Sequence, residues 1–161
     1  MYKSVAAPLL QTFNFKKYFL FLLFGLFFAS VSIAQNNNSG KLIIEVNNIN
    51  NNKGKIGVSV FNSSDGFPNA TNKAKYLVLG NIAGNASRIE IENMPFGEYA
   101  VSIIHDENEN NKLETNFLGI PNEGIGMSND AKGTFGPPNF EQAKFKFSKN
   151  NQAIQINTVY Y

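Results

Sequence analysis

From Lys41 onward the chain is a series of short apolar runs rich in Val, Ile, Phe and Tyr, set between Asn- and Gly-rich breaks. That is the punctuation of strands rather than helices. Residues 42–46 form the first run. Residues 55–61 alternate strictly, with Ile56, Val58 and Val60 on one face and Lys55, Gly57 and Ser59 on the other, which predicts a half-buried strand. Residues 62–72 read as a loop carrying a short helical turn, 76–79 as a short strand, and 88–92 as a second alternating strand. Pro95 and Gly97 mark a turn before 98–105, where Tyr99, Val101 and Ile103 share a face. Residues 144–147 and 152–160 close the chain, with 148–151 as the turn of a hairpin between them. Seven short strands at this spacing predict an all-β fold, a Greek-key β-sandwich of immunoglobulin-like or transthyretin-like type with one long ordered loop. A small barrel is the alternative architecture.

The first 34 residues have a different character. Lys16 and Lys17 precede an uncharged apolar run over 18–28, and the small residues Ser32 and Ala34 follow at the spacing of a signal-peptidase site. The apolar core of about 11 residues is short of the roughly 20 that a spanning helix needs. Residues 1–34 are therefore expected to be a signal peptide cut after Ala34, leaving no stable membrane span. Residues 35–40 read as a flexible leader and 41–161 as one domain. The expected location is outside the cytoplasm, periplasmic or secreted.

Removing the signal also removes Lys3, Lys16 and Lys17, so of the 14 basic residues 11 remain, against 12 acidic ones. A nearly neutral domain lacks the basic stripe of a nucleic-acid binder. With no cysteine in the chain, disulfides, thiolate metal sites, a cysteine nucleophile and a lipidated cysteine are all excluded.

One segment carries specific chemistry. Starting from Asp106, oxygen-bearing side chains recur at loop positions 1, 3, 5 and 9 (Asp106, Asn108, Asn110 and Glu114), with Leu113 at position 8. Alternate side chains on a tightly curved loop can converge on a hard cation that takes six to eight oxygens, and calcium loops use these positions, with position 7 (Lys112) ligating through its carbonyl. Two positions depart from that pattern. Asn111 stands where glycine is expected, a mild change because Asn tolerates the left-handed conformation. Phe117 stands where a bidentate glutamate is expected, so the carboxylate would have to come from Glu123 or Asp130. The residues leave two readings open, a Ca²⁺ loop and an ordinary solvated turn.

Residues 117–140 are too long and too apolar for a simple connector. Leu118, Ile120, Ile125, Met127, Phe135 and Phe140 are expected to fold this segment back over one end of the sandwich. Phe117, Glu123, Phe135 and Phe140 are its candidate ligand-contacting residues.

The runs His105-Asp-Glu-Asn-Glu-Asn-Asn-Lys-Leu-Glu114, Phe117-Leu-Gly-Ile-Pro-Asn-Glu-Gly124, Ser128-Asn129 and Phe135-Gly-Pro-Pro-Asn-Phe-Glu-Gln-Ala143, preceded by Met94-Pro-Phe-Gly-Glu-Tyr-Ala-Val101, resemble the bacterial exported family catalogued as domain of unknown function 2141. The resemblance spans Lys41 to the C-terminus. It implies an exported small all-β domain in which the acidic turn and the long loop belong together, and it implies no substrate.

No enzyme is expected. His105 is the only histidine, its neighbour Asp106 should point to the opposite face, and neither Ser102 nor Ser128 lies in a nucleophile-elbow motif. The expected role is a binding module for a glycan, peptide or envelope component; the alternatives are a structural envelope component without metal and, behind it, a hydrolase.

Overall fold

A computed structural model describes residues 38–161, so the segment read as a signal peptide lies outside the described residues. Eight strands form two sheets around a shared apolar core. In chain order they are β1 (Ser39–Asn47), β2 (Lys55–Phe61), β3 (Tyr76–Gly80), β4 (Ser87–Pro95), β5 (Gly97–Asp106), β6 (Gly124–Met127), β7 (Phe145–Phe147) and β8 (Gln152–Asn157). The smaller sheet runs β4-β1-β8 and the larger β3-β2-β5-β6, with β7 also on β5. Among the described residues helix is limited to two 3-10 turns (Thr71–Lys73 and Ser128–Asp130) and one four-residue α-helix, α1 (Phe140–Ala143).

The alternating strands place their apolar sets inward. Leu42, Ile44, Val46, Ile89 and Ile91 from the smaller sheet meet Ile56, Val58, Val60, Val101 and Ile103 from the larger. Pro95–Gly97 carries the chain from β4 in one sheet to β5 in the other, and the Tyr99 hydroxyl donates back to the Pro95 carbonyl at 2.9 Å. Among the described residues no helix is long and apolar enough to cross a membrane.

Several expectations need correction. The first strand begins at Ser39, where Ser39 and Gly40 pair with Pro95 and Met94, so the leader ends earlier than residue 40. The stretch after Asp106, which shows no strand pattern, contains β6. Finally, β7 and β8 are not a hairpin: β7 pairs antiparallel with β5, and β8 lies parallel to β1 in the other sheet. The Gln152 side chain anchors that crossing, accepting from Ser148 N–H at 3.0 Å and donating to the Lys146 carbonyl at 2.8 Å.

The long segment covers the outer face of the larger sheet rather than an end. Met127, Phe140 and Ala143 pack there against Phe61 and Ala100, with Phe67 in edge contact with Phe61 at 5.4 Å and Phe140 at 6.0 Å. This second cluster makes β5 buried on both faces. Between β6 and β7, the Ser128 hydroxyl stands in for the missing ladder bonds of β5, accepting from Val101 N–H at 2.9 Å and donating to the Ala143 carbonyl at 2.6 Å.

Candidate functional site

The acidic loop leaves the C-terminal end of β5. Asp106 is buried, and its two carboxylate oxygens accept the N–H groups of Asn110 at 3.1 Å and Asn111 at 2.7 Å. Asn108 Oδ1 also accepts Asn110 N–H, at 3.1 Å, and Asn110 Oδ1 accepts Lys112 N–H at 2.8 Å. Each of these side chains curls back over the next turn, which draws alternate oxygens toward the inside of the loop. Glu114 closes over them, its Oε1 accepting from the amide groups of Asn108 at 3.1 Å and Asn110 at 2.8 Å. Asn111 takes φ 61°, the left-handed conformation that position 6 requires.

The β5–β6 register pairs Ile104 with Ile125 and His105 with Gly124. Continuing it by one residue sets Glu123 across from Asp106. Glu123 is 5 % exposed. Its Oε2 accepts from Glu114 N–H at 3.2 Å, while its Oε1 is buried without a hydrogen-bond partner. Burial raises the Glu123 carboxyl above the usual carboxylate range, opposed by the Glu114 backbone N–H, and the negative charges of Asp106 and Glu114 add to the rise. Asp130, the other candidate carboxylate, is elsewhere: it accepts Asn157 N–H at 2.8 Å and the Asn157 amide at 2.7 Å, fixing the end of β8.

Beyond Glu114 the chain makes a tight turn that sequence reading missed. Asn116 organises it: Oδ1 accepts the N–H groups of Leu118 at 2.9 Å and Ile120 at 3.1 Å, and Asn116 N–H donates to the Ile120 carbonyl at 2.8 Å. An Asn immediately before an apolar pair and Gly119 is the available signal, because Asn side chains hydrogen-bond backbone a few residues on. The turn holds Phe117 and Leu118 out at 95 % and 68 % exposure. Phe135 is also fully exposed, whereas Phe140 is buried in the outer-face cluster and presents nothing to a ligand.

His105 has both ring nitrogens engaged. Nε2 lies 2.8 Å from the Lys53 carbonyl and Nδ1 2.8 Å from the Tyr160 hydroxyl. A carbonyl can only accept, so Nε2 carries the proton and Nδ1 accepts from Tyr160. Tyr160 also accepts Asn50 N–H at 3.1 Å. Its ring lies over Gly124, where a Cβ would come within 2.5 Å of it. Ser102 donates to the Pro68 carbonyl at 2.9 Å, and Ser128 is committed to the β5 edge. The Tyr160 partnership has no local sign in the chain, because it depends on residues 158–160 crossing to β6 through the Val159–Ile125 bridge.

Two depressions among the described residues, about 300 Å³ beside Lys41 and Glu92 and about 430 Å³ beside Asn47 and Arg88, contain no residue of the 106–123 segment.

Comparison with known families decides the affiliation. The model of a family described as an uncharacterized protein conserved in bacteria, DUF2141, matches residues 44–155. The chain belongs to the DUF2141 family. No curated protein and no solved structure matches it significantly. The matched range includes the acidic loop, the Asn116 turn and Glu123.

Proposed function

We propose that this DUF2141 protein is an exported, non-catalytic binding module that contacts a component of the cell envelope through the apolar turn at residues 116–120. The observation that carries the reading is the exposure of Phe117 and Leu118 on a backbone fixed by Asn116. Apolar side chains held out by a rigid turn lose little conformational freedom on binding, so their burial is available for affinity. The scaffold suits such a role. Four of its seven strand connections pass between sheets, an order that supports the Greek-key reading. The engagement of both His105 nitrogens supports a non-catalytic role. The leader sequence supports export. A glycan or a peptide would meet the same two side chains.

Co-sedimentation with purified envelope fragments tests this. The parent protein should pellet with them, and the double variant Phe117→Ser, Leu118→Ser should stay in the supernatant while melting at the parent's temperature. Equal pelleting of the two, or no pelleting of the parent, overturns the reading.

A further inference from the structure

The 106–123 segment carries a second chemistry, independent of the apolar turn. The geometry points to a site for one hard divalent cation, Ca²⁺, formed by the side-chain oxygens of Asp106, Asn108, Asn110 and Glu114, the Lys112 carbonyl, and Glu123 in place of the glutamate that calcium loops carry at position 12. Two separate observations meet there. The first is the loop itself, in which Asp106, Asn108 and Asn110 each accept N–H groups from within the loop and keep lone pairs free for an ion. The second comes from outside it. Glu123 arrives from the β6 side, buried at 5 % exposure, with Oε1 unpartnered. A buried carboxylate oxygen without a donor is costly, and a cation between it and Asp106 supplies the missing partner.

Charge leads to the same assignment. Asp106, Glu114 and Glu123 gather in one place, and among the described residues no lysine, arginine or histidine forms an ion pair with any of them. Lys55, on the strand beside β5, pairs instead with Glu109 at 3.2 Å. Among the described residues no three acidic, histidine or cysteine side chains already converge as a metal cluster. Binding therefore includes a movement: Glu114 leaves the amide groups of Asn108 and Asn110 and turns its Oε1 to the ion. Six oxygens of mixed amide, carbonyl and carboxylate type suit Ca²⁺, whereas Mg²⁺ demands stricter octahedral geometry and dehydrates reluctantly. A ligand set with only three carboxylates fits the weak range of extracellular modules, on the order of 0.1–1 mM.

The test is calorimetric titration of the chelator-stripped protein with CaCl₂ and with MgCl₂, paired with melting curves in calcium and in chelator. The parent should bind one Ca²⁺ per chain, bind Mg²⁺ more weakly, and melt higher in calcium. Glu123→Gln, which keeps the side chain's shape, should weaken calcium binding at least about tenfold, the scale set even by outer-shell partners of metal sites. Asn110→Ala alters an exposed side chain and should weaken binding without unfolding the domain. No heat and identical melting in the parent overturn the site. Calcium binding that Glu123→Gln leaves unchanged overturns the place given to Glu123. Neither readout depends on envelope binding, so this site and the apolar turn can fail separately.

Discussion

Between β5 and β7 the chain makes two excursions of equal length, and they are held in opposite ways. The first, residues 107–123, is fixed by side chains that bond backbone: Asp106, Asn108, Asn110 and Asn116 each accept N–H groups, and the apolar residues Phe117 and Leu118 are left in water. The second, residues 128–144, is fixed by burial: Phe140 and Ala143 sink onto the outer face of the larger sheet, and Ser128 mends the β5 edge beneath them. A polar scaffold of the first kind answers to ions and pH, while an apolar one answers to side-chain volume. Phe117 is thus a surface group in the first excursion, while Phe140 is core in the second.

The contrast can be broken in order of expected effect. Phe140→Ala should cost about 3 kcal/mol of unfolding free energy, measured by denaturant titration, because it empties an aromatic site. Phe117→Ala should stay within about 0.5 kcal/mol, and equal losses at the two positions would erase the distinction. Ser128→Ala should cost about 1–3 kcal/mol, since the buried Val101 N–H is left without an acceptor. Asp106→Ala in chelator should cost about 1 kcal/mol, as loss of a helix cap does for the same reason, orphaned N–H groups.

The next effect is one of pH. Glu123 has a folded-state pKa raised above 4.5, so the folded state holds its proton more tightly than the unfolded chain. Its favourable contribution is full below pH of about 4.5 and is lost as pH rises through the elevated folded value. In chelator, Glu123→Gln should flatten the fall in stability over that window, read from melting temperature against pH. A parent curve with no fall there would contradict the burial of this carboxylate. Smallest of all is Arg88→Ala on the outer face of the smaller sheet. There Arg88 bridges Glu45 at 2.6 Å and Glu90 at 3.3 Å in full view of solvent, and exposed pairs of this kind contribute less than about 1 kcal/mol.

Alternation made most strands legible: β2 and β4 show their inner faces directly in Ile56-x-Val58-x-Val60 and Ile89-x-Ile91. The strand β6 is invisible to that test because its inward positions are Gly124 and Gly126. Both face close packing, and a Cβ on Gly126 would sit 2.7 Å from the Ile156 side chain. The inner face of β6 is thus read as a gap in the apolar pattern. The turn at 148–151 was legible as a turn, but turn residues carry no record of which sheet receives the next strand. Phe140 had a local sign. Asn139 and Gln142 form a reciprocal capping box, the Asn-x-x-Gln signal of a helix start, and a helix start implies a packed face. The loop oxygens at Asp106, Asn108, Asn110 and Glu114 follow from spacing alone, whereas Glu123 becomes their neighbour only through the β5–β6 register, and Asp130, no farther along in sequence terms than many ligands, is claimed by Asn157.

The parallel pairing of β1 with β8 joins the first strand of the domain to the last. The smaller sheet has β1 at its centre, so half of that strand's partners do not exist until Gln152–Asn157 has been synthesised. Contacts this distant along a chain slow folding, because a long loop must close before they reward it. Assembly of the smaller sheet therefore waits on nearly the whole of residues 39–157.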